Sequence, residues 1–188
     1  MLESFFYILN QFESRLIILL QKYLSNSFLD QFFLIYTDLH KKWPFQIFLL
    51  MLFLFWFYKE KWKAFRRFFG LILNLVIIDS VCGLLIKKLV ERPRPFVTFI
   101  EILQKSPASG YSFVSNHAAN MMGIAAYLSC FYPRWKVFWW TLALLVAFSR
   151  VYNGVHYFSD VIIGGLIGAC IGTIMAKIVQ YQWERIKE

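Results

Sequence analysis

The feature that most constrains this chain is a series of apolar blocks separated by short charged loops. Trp43 to Tyr58 passes without one charged side chain, and Phe68 to Ile86 carries a single one, Asp79. His117 to Tyr132, Val137 to Tyr152 and Ser159 to Val179 repeat the arrangement, with their charges near the ends. A backbone in hydrocarbon must satisfy its own N–H and C=O groups, and apolar runs of this length do so as helices. Phe68–Ile86 is a full-length span of about 28 Å at the helical rise, whereas Trp43–Tyr58 reaches about 24 Å and spans with little margin. The hydrophobic share of 59% and the mean hydropathy of +0.54 exceed the roughly 45–50% apolar content of a soluble domain. The excess lies in the blocks, so residues 1–188 read as one integral membrane domain.

Residues 1–42 have a different pattern. Phe5, Ile8, Leu9, Phe12, Leu16, Leu19, Leu20 and Tyr23 recur at helical spacing, interrupted by Asn10, Gln11, Glu13, Ser14 and Arg15. Phe28, Leu29, Phe32, Phe33, Tyr36 and Leu39 repeat it after Ser27 and before Lys41-Lys42. Helices of this kind lie in the headgroup layer or pack one face on a bundle. The predicted fold is therefore an all-α integral membrane protein. It has amphipathic, interfacial N-terminal helices (1–42) and a transmembrane bundle (43–182) of five helices, or six if the first segment crosses. Met1-Leu2-Glu3 offers no basic n-region, so no cleavable signal peptide is expected.

Charge sets an orientation. Lys59, Lys61, Lys63, Arg66 and Arg67 fill one loop, and Arg134 and Lys136 fill another. Lys177, Arg185 and Lys187 belong to the tail. Alternation of five spans puts all three on one side, the cytoplasmic side by the positive-inside rule. The loops 87–117 and 149–160 then share the opposite face, which is periplasmic in a didermic bacterium. This clustering accounts for the net charge of +9 through orientation and anionic headgroups, and no nucleic-acid partner is expected. Cys82, Cys130 and Cys170 each stand alone in an apolar run, as small buried hydrophobes rather than disulfide or metal ligands. Gly164, Gly165, Gly168 and Gly172 predict close helix packing within the bundle. Asp79 and Asn74 must find partners inside their span, and a structural hydrogen bond is the expectation for Asp79.

The two loops carry the chemistry. His156 and Asp160 are four residues apart, which puts them on one face of a helical turn. A carboxylate on one ring nitrogen fixes the tautomer and leaves the other nitrogen as a nucleophile. Arg150 precedes them with a guanidinium fork that matches phosphate oxygens. Lys87 and Arg94 add two cations, with Pro93 and Pro95 holding the chain around Arg94 extended. Lys88 and Arg92 read as interfacial anchors that snorkel from the end of a span.

Together these motifs resemble the type-2 phosphatidic acid phosphatase family of membrane phosphatases. The family's first motif, Lys, six residues, Arg-Pro, matches Lys87 through Arg94-Pro95. Its third, Ser-Arg, five residues, His, three residues, Asp, matches Ser149-Arg150, His156 and Asp160. Its second, Pro-Ser-Gly-His, is met by Val114-Ser115-Asn116-His117, where Ser and His agree and Pro and Gly do not. The resemblance covers roughly residues 67 to 176. It implies that His156 attacks phosphorus and forms a phosphohistidine, oriented by Asp160. His117 protonates the leaving oxygen and then activates water. Lys87, Arg94, Arg150, the Ser115 hydroxyl and the backbone N–H of Asn116 bind the phosphoryl oxygens. No metal and no other cofactor is implied.

Asn tolerates the backbone conformation that Gly permits better than most residues, so activity is expected to survive Asn116. The stretch Gly110 to Asn120 resembles the subset that includes lipid A phosphatases. The expected substrate is thus a phosphorylated lipid, lipid A at its 1-phosphate, ahead of undecaprenyl diphosphate and phosphatidylglycerophosphate. The expected location is the bacterial inner membrane with the active site facing the periplasm. A phosphotransferase, with an acceptor in place of water, fits the same motifs. A non-catalytic lipid-binding scaffold would be expected to have lost His156, His117 or Arg150, and all three are present. Oligomeric state has no signature in the sequence.

Overall fold

Each apolar run is a helix. In the computed structural model, which describes residues 2–185 and the side chains of 7–182, no strand occurs among the described residues. The order is α1 (Leu2–Leu24), α2 (Ser27–Thr37), α3 (Trp43–Glu60), α4 (Trp62–Ile78), a π-helical stretch (Asp79–Ile86), α5 (Lys87–Val90), α6 (Pro95–Thr98), α7 (Asn116–Phe131), α8 (Lys136–Tyr152) and α9 (Phe158–Arg185). Among the described residues, two stretches are long and apolar enough to cross a membrane by length and composition, Trp62–Thr98 and Phe158–Gln182. α3 buries none of its residues and exposes Ile47, Phe48, Met51, Leu54, Phe55 and Tyr58, a surface suited to lipid rather than water. The positions read as Phe5 in the amphipathic pattern, and Arg185 and Lys187 in the basic tail, lie outside the described side chains.

α7 and α9 form the seam that holds the site. A Cβ on Gly168 would stand 1.9 Å from the Ala119 carbonyl oxygen, and one on Gly172 would stand 2.2 Å from that of Gly123. The two backbones therefore touch, and the small-residue run serves packing inside the bundle, as the sequence reading expected. This contact sets the register at the end of the seam, where the Ser115 N–H donates to the Asp160 carbonyl at 3.0 Å. At the opposite end, Arg67 donates to the Tyr132 hydroxyl at 3.1 Å, and Trp56 stacks on Tyr132 with ring centroids 5.0 Å apart. The basic loop 59–67 and the turn Pro133–Trp135 thus share one end, and the motif residues gather at the other.

α1 is amphipathic with its faces inverted relative to a helix lying on water. Asn10, Glu13, Ser14 and Gln21 are buried, whereas Tyr7, Ile8, Phe12, Leu19 and Tyr23 are exposed. Of the two placements open to such a helix, α1 takes the packed one, and its polar stripe makes the contact. In hydrocarbon, polar groups must be paired inside the protein and apolar ones face out freely. Gln21 illustrates the result. Its amide donates to the carbonyls of Leu103 (2.9 Å) and Tyr152 (3.1 Å), and its oxygen accepts from the Leu103 N–H at 3.0 Å.

Candidate active site

The end of α8 builds the first half of the site. Gly154 has φ +70°, and a Cβ there would lie 2.5 Å from the Leu103 carbonyl oxygen. The left-handed turn reverses the chain, and the N–H groups of Val155 and His156 donate to the Arg150 carbonyl at 3.2 and 3.3 Å. α9 then starts at once and puts Asp160 one turn beyond His156, with Asp160 Oδ2 3.5 Å from His156 Nδ1. The same carboxylate oxygen accepts the Tyr157 N–H at 2.9 Å and the Ser112 hydroxyl. His156 Nε2, the other ring nitrogen, lies 3.3 Å from Arg94 Nη1. Burial pushes the His156 imidazole down to about 3, against the hydrogen bond and charge of Asp160, so the ring is neutral across the physiological range. A neutral imidazole with Nδ1 on a carboxylate and Nε2 beside a guanidinium has the arrangement of a nucleophile facing an anion.

The first motif wraps this pair. Arg94 donates to the carbonyls of Gly110 (Nε, 3.0 Å), Val155 (Nη1, 2.8 Å) and Ser109 (Nη2, 2.8 Å), which locks the fork beside His156. Lys87 Nζ donates to the Tyr111 carbonyl at 2.9 Å and lies 3.4 Å from that of Ser112. Ser115 is buried, and its hydroxyl caps α7 by accepting from the Ala118 N–H at 3.5 Å. The Asn116 side chain reaches the π-helical stretch. It donates to Asp79 Oδ1 at 3.2 Å, and Asn120 donates to the same oxygen at 2.9 Å. The structural role expected for Asp79 is thus seen, on a carboxylate that also lines an open groove of about 570 Å³ running from Val76 past Gly83 to Lys87 and Asn116. Gly83 makes room for Asn116, since a Cβ there would lie 2.5 Å from its Nδ2.

Arg150 and His117 meet a segment that lies outside all three motifs. Arg150 is buried and donates through Nη1 to the Thr37 hydroxyl at 2.9 Å. His117 Nε2 lies 4.0 Å from Asp38 Oδ1, and its ring sits edge-on to His40 with centroids 5.9 Å apart. Among the described residues, no three His, Cys, Asp or Glu side chains gather as metal ligands.

One reading is overturned here. Arg92 is not an interfacial anchor: it is 2% exposed. Its guanidinium donates to Asp160 Oδ1 (2.6 Å), Glu13 Oε2 (2.6 Å), Ser159 Oγ (2.7 Å) and Asn10 Oδ1 (2.6 and 2.9 Å). It also stacks over the Tyr157 ring at 3.9 Å. Two carboxylates, a hydroxyl and an amide oxygen already take its N–H groups inside the fold, so snorkelling to solvent offers it nothing. Lys88, read in the same way, is exposed. Ser112 and Thr37 were absent from the sequence reading, and Glu13 entered it only as a polar interruption of the N-terminal pattern. Glu13 had one available signal, an acidic residue inside an apolar helical pattern.

The profile of the PAP2 superfamily matches residues 68–184. The chain belongs to the PAP2 superfamily. Membership makes it a membrane lipid phosphatase, a phosphoric monoester hydrolase. It is 28% identical over 165 residues to a lipid A 4′-phosphatase of Porphyromonas gingivalis, covering 84% of this chain and 69% of that protein. The crystal structure of Aquifex aeolicus LpxE superposes with a TM-score of 0.67 at 28% identity, covering 87% of this chain and 93% of that one. A phosphatidylglycerolphosphate phosphatase from Bacillus subtilis superposes with a TM-score of 0.62, covering 94% and 85%, and at 23% identity it supports the fold alone. Other curated relatives are matched over about half of their length.

Proposed function

We propose that the protein removes a phosphate monoester from lipid A at the periplasmic face of a bacterial inner membrane, through a phosphohistidine on His156. The observation that carries the reading is the buried, neutral His156 ring, with Nδ1 toward Asp160 and Nε2 3.3 Å from Arg94. Nε2 attacks phosphorus in line while Arg94, Lys87, Arg150 and the N–H groups at the start of α7 take the charge that builds on the phosphoryl oxygens. His117 gives a proton to the departing sugar oxygen and takes one from the water that cleaves the phosphorus–nitrogen bond. Ser115 holds the start of α7 in place. The domain acts as one unit, residues 1–188, with the N-terminal helices packed on the catalytic bundle.

Lipid A is favoured as substrate by the form of the Gly110–Asn120 stretch and by the similarity to a lipid A 4′-phosphatase along most of the chain. The stretch favours the 1-phosphate, and that relative makes the 4′-phosphate the competing position. The test is phosphate release by the purified protein from lipid A, undecaprenyl diphosphate, phosphatidylglycerophosphate and phosphatidate. Lipid A is expected to give the highest kcat/KM, and fragment-ion mass spectrometry of the product identifies the phosphate lost. A higher kcat/KM on any other lipid would overturn the substrate, and undiminished turnover by His156→Ala would overturn the intermediate. A reporter fused within residues 95–111 is expected to be active only outside the cytoplasm.

A further inference from the structure

The segment that follows α2 enters the site from outside the matched domain, which begins at residue 68. Tyr36 ties it to α8 by donating to the Leu142 carbonyl at 3.2 Å, and buried Phe33 packs on Tyr152 with centroids 4.8 Å apart. Thr37 accepts from Arg150 at 2.9 Å and from the Ser149 hydroxyl at 3.2 Å. The next residue is Asp38, and its local position gives no reason for a carboxylate. It caps the C-terminus of α2, where the helix dipole disfavours negative charge, and makes no side-chain cap to the turn that follows. Its contact with Lys41 at 2.7 Å is to a side chain 60% exposed, a pairing worth little, whereas the Asp38 side chain itself is 22% exposed.

What Asp38 does face is His117. Nε2 of His117 is buried without a hydrogen-bond partner, and Asp38 Oδ1 is the carboxylate oxygen 4.0 Å away. A side-chain shift of about 1 Å closes that gap to hydrogen-bond length, as catalytic contacts do when substrate arrives. We propose that Asp38 is the positioning carboxylate of His117: it accepts the Nε2–H and so reserves Nδ1 for the proton that is exchanged with substrate. The inference rests on the reading of His117 as general acid. In the first step the His156 nitrogen bonds to phosphorus and the ester P–O bond breaks, its electron pair passing to the leaving oxygen. That oxygen takes the proton from His117 Nδ1. In the second step, water loses a proton to Nδ1, its oxygen bonds to phosphorus, and the electrons of the P–N bond return to His156. Burial and the charges of Arg150, His156 and His40 disfavour the doubly protonated ring that must exist before the first step and after the second, and the charge of Asp38 acts against them. Burial would raise the Asp38 carboxyl, and Lys41, His117 and Arg150 together hold it below the usual range, so it is charged when needed. Two histidines of the site thus have a carboxylate within reach, His156 with Asp160 at 3.5 Å inside the matched domain and His117 with Asp38 at 4.0 Å across its boundary.

The test uses full-length protein with Asp38→Asn, which keeps the shape, and Asp38→Glu, which restores the charge. Each is assayed on two substrates: the lipid phosphate, whose alkoxide must be protonated, and p-nitrophenyl phosphate, whose phenolate leaves without a proton. Asp38→Asn is expected to lower kcat/KM on the lipid by about ten- to a hundredfold, with less than about a threefold loss on the aryl ester. Asp38→Glu is expected to recover part of the difference. In a His117→Ala background, Asp38→Asn is expected to cost nothing further. Equal losses on both substrates, or an additional loss in the His117→Ala background, would overturn the proposal while leaving the phosphatase reading intact. Wild-type protein inactive on every lipid phosphate would overturn that reading and this one with it.

Discussion

Arg92 is the side chain whose removal says most about how this site is held. Its guanidinium lies 2.6 Å from Glu13 and 2.6 Å from Asp160, with side-chain exposures of 1%, 5% and 0%. At an effective dielectric constant near 20, each contact at that distance is worth about 6 kcal/mol of Coulomb attraction, most of it cancelled by desolvation. Replacing Arg92 with Met removes the cation and leaves two carboxylates facing one another in a dry pocket. Breaking a buried pair in this one-sided way costs about 3–5 kcal/mol. For a chain of this size each kcal/mol moves the melting midpoint by about 2–4 °C, so the expected fall is about 6–20 °C. The assay is tryptophan fluorescence melting of purified protein in detergent, followed by kcat at a temperature where the variant is folded. A partner variant keeps the prediction sharp. Glu13→Gln leaves Arg92 paired to Asp160, and Arg92→Met/Glu13→Gln removes one of the two stranded charges, so the double variant is expected to melt above Arg92→Met alone. An Arg92→Met protein melting within about 2 °C of wild type, or a double variant no better than the single, would refute the account of Arg92 as the buried cation that neutralises both carboxylates.

Gly154→Ala puts a Cβ into a left-handed residue and against the Leu103 carbonyl; a loss of about 1–3 kcal/mol in stability, with a fall in kcat from displacement of His156, is expected from melting and turnover. Gly83→Ala should impair the wild type, because its Cβ meets the Asn116 amide at 2.5 Å, and should be tolerated when Asn116→Gly is introduced with it; relative kcat/KM of the three variants checks the pair. For pH, the folded His156 ring resists protonation until about 3, whereas the unfolded chain takes its proton near the ordinary 6.5. Between those values the unfolded state binds more protons, so this contribution to stability is present above about 6.5 and is lost as pH falls toward 3. The wild-type melting midpoint should therefore drop more between pH 7 and pH 4.5, an interval that starts above that window and ends inside it, than the midpoint of His156→Gln.

Much of the site was legible because its parts lie close in sequence. His156 and Asp160 need only one helical turn to meet. Lys87 lies close along the chain to Arg94, which Pro93 and Pro95 flank and stiffen. The parts that were not legible arrive from far along the chain. Glu13 and Arg92 are separated by 79 residues, Ser112 and Asp160 by 48, and Thr37 and Arg150 by 113. No local propensity favours such contacts, so no local signal announces them. Arg92 shows the difficulty most clearly, because a cation at the end of an apolar run has the same sequence appearance whether it reaches out to headgroups or inward to a carboxylate.

The sequence by itself determined that the apolar runs are helices, since hydrocarbon leaves the backbone no other way to satisfy its polar groups within one segment. It also set Lys87 near Arg94 and His156 near Asp160, through spacings that a helical turn or a Pro-bounded loop converts directly into proximity. Tertiary structure decided which way each stripe faces. The periodicity of α1 marks a polar and an apolar side but not the medium each meets; only packing against the loop that carries Arg92 and Leu103, and against α8 and α9, turned Asn10, Glu13 and Gln21 inward and left Phe12 and Leu19 outside. The same packing carried Asp38 to His117 and Arg92 to Asp160. A buried charge is settled by the partner it finds across the fold, and that partner is not encoded at the position where the charge stands.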